Sequence, residues 1–460
     1  MEKKWWLDEV NLVTLGILSG NIETDKSFLE FYKKIGSRIA DRGYVYPHFS
    51  ETVSIGTELI DFYHKHGLKF ISFTSVGKWG ANDVEALIAA SKIHIDDGAD
   101  GVHFDMFFSP VHDDKTVADA VAEISREIKK YAAEKYGRTV CFAGNEWVME
   151  NRTALAMANI CDVVWIESYA YNALEIVRSA RLGRAIGGAS KPVWYHWQPE
   201  DDAKSRIYNL KNLPKAMFAA CLFESALFLC NPQYPVFDTK GEDQSQEFLG
   251  SHGKWYIIPI NDGWKNSVYQ YAASLRDHKN YYIDAVPKAE LLFAFTPAQI
   301  GEANRCMNLL LAENIPSQPF VYGENPHGIL TEKIKSEYKR ALVLGEDAAS
   351  ADDIKAMLPI LKEEASQLIK LETTEKIIAG VMEKDGKTLV HLLHHGYSDE
   401  TDILEPTGPV RITVRLKNIK KATLVSPDMG GEITLPFSID GESVSFTVPG
   451  VTYYSLVILE

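Results

Sequence analysis

The sequence predicts an α/β protein: a (β/α)8 barrel, then a small α/β unit, then a C-terminal antiparallel β-sandwich. Three observations carry this. Short apolar runs alternate eight times with helical periodicity between residues 11 and 285, the pattern of a closed barrel of parallel strands wrapped by helices. Residues 286–375 repeat strand and helix on a smaller scale. From 376 to 460 helical periodicity disappears, and short strands are divided by turn signals such as Lys384-Asp-Gly386, Pro427-Asp-Met-Gly-Gly431 and Asp440-Gly441. The three units are therefore placed at 1–285, 286–375 and 376–460.

In the first unit, strands are expected at 11–18, 44–49, 69–74, 101–107, 139–143, 162–167, 192–197 and 226–230, each a short run rich in β-branched and aromatic residues. Helices are expected at 27–40, 51–66, 83–95, 117–136, 173–182 and 213–223, with Gly67 closing the second of these. An open doubly wound sheet would also alternate, but it would bring a glycine-rich phosphate loop that this chain lacks. In the second unit, strands at 290–296, 318–322 and 339–345 frame helices at 298–313 and 352–365.

Composition narrows the classes of function. A chain of 460 residues exceeds what one core supports. Its 46% hydrophobic and 24% charged residues are those of a folded globular protein. A net charge of -15 and the lack of a basic cluster speak against nucleic acid as a partner. The N-terminus has no apolar run of signal or membrane length, so no signal peptide or membrane span is expected, and the acidic charge and unpaired cysteines fit a cytoplasmic location. Cys141, Cys161, Cys221, Cys230 and Cys306 show no paired spacing and read as reduced, buried thiols. No metal and no cofactor are expected.

Barrels gather their chemistry where strands end. That rule singles out Asp105, at the end of the run that follows Gly98-Ala-Asp-Gly101, and Glu167, where Asp162-Val-Val-Trp-Ile-Glu167 gives out. It also marks Asn145 and Glu146, and His196 with Trp197. A carboxylate in an apolar run is costly unless it sits at an open end, and two of them across one sheet end are what glycosyl transfer requires. Apolar neighbours of Glu167 favour its protonated form, as a general acid needs, while His103 or Asn145 could hold Asp105 ionised. Blander readings stay open: Asp105 as a carboxylate bridging strands, Glu167 paired with an arginine, His196 as an interior histidine, Glu146 as a supporting residue or the proton donor. Trp147, Trp197 and Tyr169 are candidate faces for a sugar ring, whereas Trp194 is expected in the core. Glu224 precedes the eighth strand and belongs to the opposite, structural end. His391, His394 and His395 lie on a predicted strand where neighbours diverge, and are read as exposed rather than metal-binding.

Gly98-Ala-Asp-Gly-Val-His-Phe-Asp105, Asp162-Val-Val-Trp-Ile-Glu-Ser-Tyr169, Lys191-Pro-Val-Trp-Tyr195 and Phe223-Glu-Ser-Ala-Leu-Phe-Leu-Cys-Asn231 resemble, in order, the barrel of glycoside hydrolase family 66, the dextranases and cycloisomaltooligosaccharide glucanotransferases. The resemblance implies a retaining glycosidase or transglycosylase with Asp105 as nucleophile and Glu167 as acid/base, and a carbohydrate as substrate. From their places at or near strand ends, His103, Asn145, Glu146, Trp147, Tyr169, His196 and Trp197 are expected around the sugar. The middle unit, with Leu309-Leu-Leu-Ala-Glu-Asn-Ile-Pro316 and Ala341-Leu-Val-Leu-Gly345, is similar instead to the flavodoxin-like domain of family 42 β-galactosidases, which implies a homo-oligomer. Gly144-Asn-Glu-Trp147 and the flavodoxin-like unit depart from the family 66 pattern. The other class of function in play is a carbohydrate-binding or assembly protein on a barrel without catalysis.

Overall fold

The structure is a computed structural model. It describes residues 4–7, 12–14, 22–43, 56–75, 84–105, 114–147, 149–168, 172–188, 191–197, 210–230, 233–237, 247–250, 253–259, 262–324, 326–365 and 367–460. Eight parallel strands close into a barrel. In chain order the elements are β1 (Leu12–Thr14), α1 (Ile22–Ile35), β2 (Ile39–Gly43), α2 (Thr57–Lys65), β3 (Lys69–Ser75), α3 (Val84–Asp97), β4 (Gly101–Asp105), α4 (Asp114–Tyr136), β5 (Cys141–Trp147), α5 (Arg152–Ile160), β6 (Val164–Ser168), α6 (Ala173–Gly187), β7 (Val193–Trp197), α7 (Leu213–Phe223) and β8 (Leu227–Cys230). Closure comes from β8 lying parallel to β1, with Leu12 opposite Leu229 and Val13 opposite Cys230.

The two-residue period of the strands divides their labour. Val102, Phe104 and Phe142 pack outward against Leu87, Ile95, Val121, Ile124 and Ile128 of α3 and α4, while the intervening residues turn into the barrel. Helix α6 seats closely on β6 because Gly183 and Gly187 carry no side chain: a Cβ on either would stand 2.8 Å from Val164.

Some elements lie elsewhere than the sequence predicts. The first helix ends at Ile35 rather than running to residue 40, because Gly36 takes a φ of 72° and turns the chain out of the helix. The second strand consequently falls at Ile39–Gly43, and the expected 44–49 lies outside the described residues. Strand β5 runs on to Trp147, so Asn145, Glu146 and Trp147 belong to the strand instead of the loop after it.

After β8, β9 (Gln233–Phe237), β10 (Glu247–Gly250) and β11 (Gly253–Pro259) form a small antiparallel sheet that the sequence reading did not anticipate, followed by α8 (Asp262–Asp277). Next, β12 (Val286–Lys288) precedes β13 (Leu291–Phe295), which is flanked in parallel by β14 (Ser317–Val321) and β15 (Arg340–Val343). Helices α9 (Ile300–Ala312), α10 (Glu332–Ser336) and α11 (Ala351–Ala365) accompany this sheet. The remaining strands are β16 (Ile369–Glu372), β17 (Ile377–Lys384), β18 (Lys387–His394), β19 (Val410–Arg415), β20 (Ala422–Val425), β21 (Glu432–Thr434), β22 (Phe437–Asp440), β23 (Ser443–Val448) and β24 (Tyr454–Leu459). They form a six-stranded sheet in the order β12-β17-β18-β24-β20-β21 and a four-stranded sheet in the order β16-β19-β23-β22. Between the two sheets lies a core that includes Val390, Leu392, Ile412, Val414, Leu424, Phe446 and Val457.

His391 and His394 are buried, not exposed as expected. Central strand β18 is covered on both faces, by the sandwich core on one and by Phe223 of α7 and Tyr282 on the other. Tyr454 hydrogen-bonds His391 Nδ1 at 2.8 Å.

Glu290, buried just before β13, binds the middle unit to the sandwich. Its Oε2 accepts from the Gln367 and Leu368 amides at 2.7 and 3.0 Å. Its Oε1 meets Lys339 at 2.8 Å and the Arg415 guanidinium. Burial alone would raise its pKa, but the bonds from Lys339 and Gln367 and the Arg415 charge outweigh it and hold the carboxyl below the usual glutamate value. A depressed folded pKa stabilises above the unfolded value of about 4.3 and is lost as pH falls through the folded one. Glu290→Gln should therefore cost about 2 kcal/mol at pH 7, and its deficit relative to wild type should shrink in denaturant melts below about pH 4. A deficit independent of pH would contradict this role.

Candidate active site

On β4 to β7 the inward positions toward the strand ends are polar and aromatic, where outward ones such as Val102, Phe104, Phe142, Val164 and Ile166 are apolar. His103 on β4, Asn145 on β5, Trp165 and Glu167 on β6, and Trp194 and His196 on β7 are all buried. Strand register brings them together: Asn145 is opposite Trp165, Trp165 opposite Trp194, and Glu167 opposite His196.

Glu167 is 5% exposed, and its Oε2 accepts a hydrogen bond from Asn145 Nδ2. On the other side of that amide, Asn145 Oδ1 lies 2.7 Å from His103 Nε2. The His103 ring is stacked on Trp165, with centroids 3.8 Å apart and planes 16° from parallel. Trp165 in turn meets Trp194 edge-on at 5.4 Å. Trp194 is core, as its place inside the strand predicts. Trp165 is the residue that sequence reasoning missed as part of the site, because an aromatic in an apolar run reads as packing. Its one signal is its spacing two residues before Glu167, on the same face of the strand.

Asp105 is the last residue of β4, opposite Ser75 of β3 and two positions beyond His103. Its side chain lies outside the described residues, as do those of Glu146, Trp147 and Trp197, and Tyr169 lies outside them altogether. The backbone register sets Trp147 opposite Glu167 and Trp197 opposite Ser168. Position 146 has the opposite alternation to Asn145.

His196 has a buried Nε2 with no hydrogen-bond partner among the described residues. Burial, and secondarily the neighbouring His103, lower its pKa to about 3, so the ring is neutral at physiological pH.

Carboxylates at the other end of the barrel are held by basic side chains. Asp100, before β4, meets His64 at 2.7 Å and Lys69 at 2.8 Å, and Glu224 meets Arg181 at 2.6 Å, which agrees with the structural place expected for Glu224. Cys141, Cys161, Cys221 and Cys306 are buried free thiols. Among the described residues no group of three or more His, Cys, Asp or Glu is placed to hold a metal ion. No described helix is long and apolar enough to cross a membrane.

The sequence matches no protein-family profile and no curated protein. Solved structures similar in fold include α-L-fucosidase isoenzyme 2 from Paenibacillus thiaminolyticus, with 12% identity over 98% of this chain and 99% of that one and a TM-score of 0.67. A catalytic mutant of a GH42 β-galactosidase from G. stearothermophilus is similar at 8% identity over 98% of each chain, with a TM-score of 0.54. A GH5_18 protein from Bifidobacterium longum subsp. infantis matches at 11% identity over 76% of this chain and all of that one, with a TM-score of 0.50. These neighbours are glycoside hydrolases of more than one family, and at such identities the likeness is one of fold.

The unfolded value for histidine is about 6.5, so between pH 6.5 and about 3 the unfolded chain binds a proton that folded His196 refuses. The stability this confers is present above pH 6.5 and is lost as pH falls, at up to about 1.4 kcal/mol per pH unit. We expect 15N NMR to show a neutral His196 ring at pH 5, and His196→Phe to flatten the acid side of the unfolding free-energy curve. A ring that titrates near 6.5 would contradict the assignment.

Proposed function

We propose that the protein is a retaining glycoside hydrolase acting on an oligosaccharide or polysaccharide fragment, with Asp105 as nucleophile and Glu167 as general acid/base. The observation that carries this reading is the buried Glu167 carboxyl at the C-terminal end of β6, held by Asn145, in a sheet whose next-but-one strand ends in Asp105. Adjacent strands lie about 4.8 Å apart, so β4 and β6 stand about 10 Å apart. Two carboxyl side chains directed across that space can approach the about 5 to 5.5 Å that direct attack requires, whereas inversion needs about 6.5 to 9.5 Å.

In the first step the Asp105 carboxylate attacks the anomeric carbon while Glu167 protonates the departing glycosidic oxygen, leaving a glycosyl ester on Asp105. In the second, Glu167 takes a proton from water, the water attacks the same carbon, and the ester bond breaks with Asp105 restored. A sugar hydroxyl in place of water makes the same step a transglycosylation. Neutral His196 offers a ring nitrogen to a substrate hydroxyl, and we assign the aromatic faces for the sugar ring to Trp147, which is in register with Glu167, and to Tyr169 and Trp197 from their places at the ends of β6 and β7. The motif resemblance to family 66 gives the same pair of carboxylates, and the glycosidase neighbours support the substrate class.

A screen of aryl α- and β-glycosides and linear glucans should find a substrate. On it, Asp105→Asn should lose at least about 10^4-fold in kcat/KM with unfolding unchanged. A 2-deoxy-2-fluoro glycosyl fluoride of the same sugar should label the peptide that carries Asp105. Wild-type turnover in Asp105→Asn, or sugar binding without cleavage of any glycoside, would remove the reading in favour of a binding protein.

A further inference from the structure

We propose that His103 is a positioning residue for Glu167, acting through the Asn145 amide; its kinetic test rests on the glycosidase reading, its spectroscopic test does not. The argument is one of hydrogen-bond direction. An amide nitrogen can only donate and an amide oxygen only accept. Because Asn145 Nδ2 faces Glu167 Oε2, Asn145 Oδ1 faces His103 Nε2 at 2.7 Å, and that ring nitrogen must carry the proton. Turning the amide over would set its oxygen against an ionised Glu167 carboxylate and its NH2 against the imidazole N–H, two unfavourable contacts. The proton on His103 thus selects the orientation of Asn145, and Asn145 selects that of Glu167.

The imidazole is itself held. It lies flat on Trp165, and Trp165 is braced by Trp194. Trp165 and Glu167 are two residues apart on β6, so the path leaves β6 through the carboxyl, crosses β5 and β4, and returns to β6 through the indole. Three strands are linked in a closed circuit of side chains, and His103 need not touch the sugar to matter.

His103→Phe keeps a flat ring against Trp165 and removes the donor, while His103→Gln keeps a donor. On the 4-nitrophenyl glycoside that wild type hydrolyses best, His103→Phe should lower kcat about 10- to 100-fold with KM nearly unchanged, and His103→Gln should recover most of the loss. In an Asn145→Ala background His103→Phe should change nothing further, since its effect passes through that amide. Additive losses would overturn the proposal. In protein labelled with 15N-histidine, the ring missing from the His103→Phe spectrum should be protonated at Nε2 in wild type. Protonation at Nδ1 alone would overturn the proposal whether or not a glycoside is cleaved, whereas failure of the glycosidase reading would show separately, as wild-type turnover in Asp105→Asn.

Discussion

The site depends on one hydrogen-bonded amide, that of Asn145, which faces a carboxyl on one neighbouring strand and an imidazole on the other. Such a group works only if both strands keep their register. A slip of one residue would turn every inward side chain outward. Closure of the barrel prevents this, because β1 to β8 are each bonded to two neighbours and none has a free edge along which to shift. Leaving a buried acceptor without a partner costs about 1 to 3 kcal/mol, so the arrangement that positions Glu167 also gives its burial a compensating partner.

Outside the barrel wall, apolar contacts to α3 and α4 and the close seating of α6 on β6 hold the frame. The later units fasten to the barrel's helices. Phe223 of α7 packs on Gly380, where a Cβ would come within 3.1 Å. Asn304 of α9 donates to the Met149 carbonyl at 3.3 Å, and Tyr271 of α8 donates to Asp428 at 2.9 Å. These contacts involve helices and loops on the outside of the barrel, so the appended units can brace the wall without entering its interior.

Much of this was legible in the sequence. The change between two-residue and 3.6-residue periods marks strands and helices with little tertiary help, and helix 213–223 is found where it is expected. A lone carboxylate such as Glu167 in an apolar run stands out for the same reason that it is costly. What could not be read was who meets whom. His103 and Asn145 are 42 residues apart, and their contact depends on strand register, which periodicity does not encode. Tyr44 to Phe49 looked more like a strand than Ile39-Ala-Asp-Arg-Gly43, whose charges hide it until Gly36 is recognised as the end of the helix. His391 was misjudged because alternation predicts an exposed face only when one side of a sheet meets water, and β18 is covered on both.

The central claim is that Glu167 gives the proton to the leaving group. It is tested most directly by adding azide to the Glu167→Ala enzyme and following turnover of an aryl glycoside together with the configuration of the product. The account predicts that azide restores turnover and yields a glycosyl azide of retained configuration, formed from the ester on Asp105 in the space the carboxyl vacated. Turnover indifferent to azide, with rescue found instead in Glu146→Ala, would contradict it.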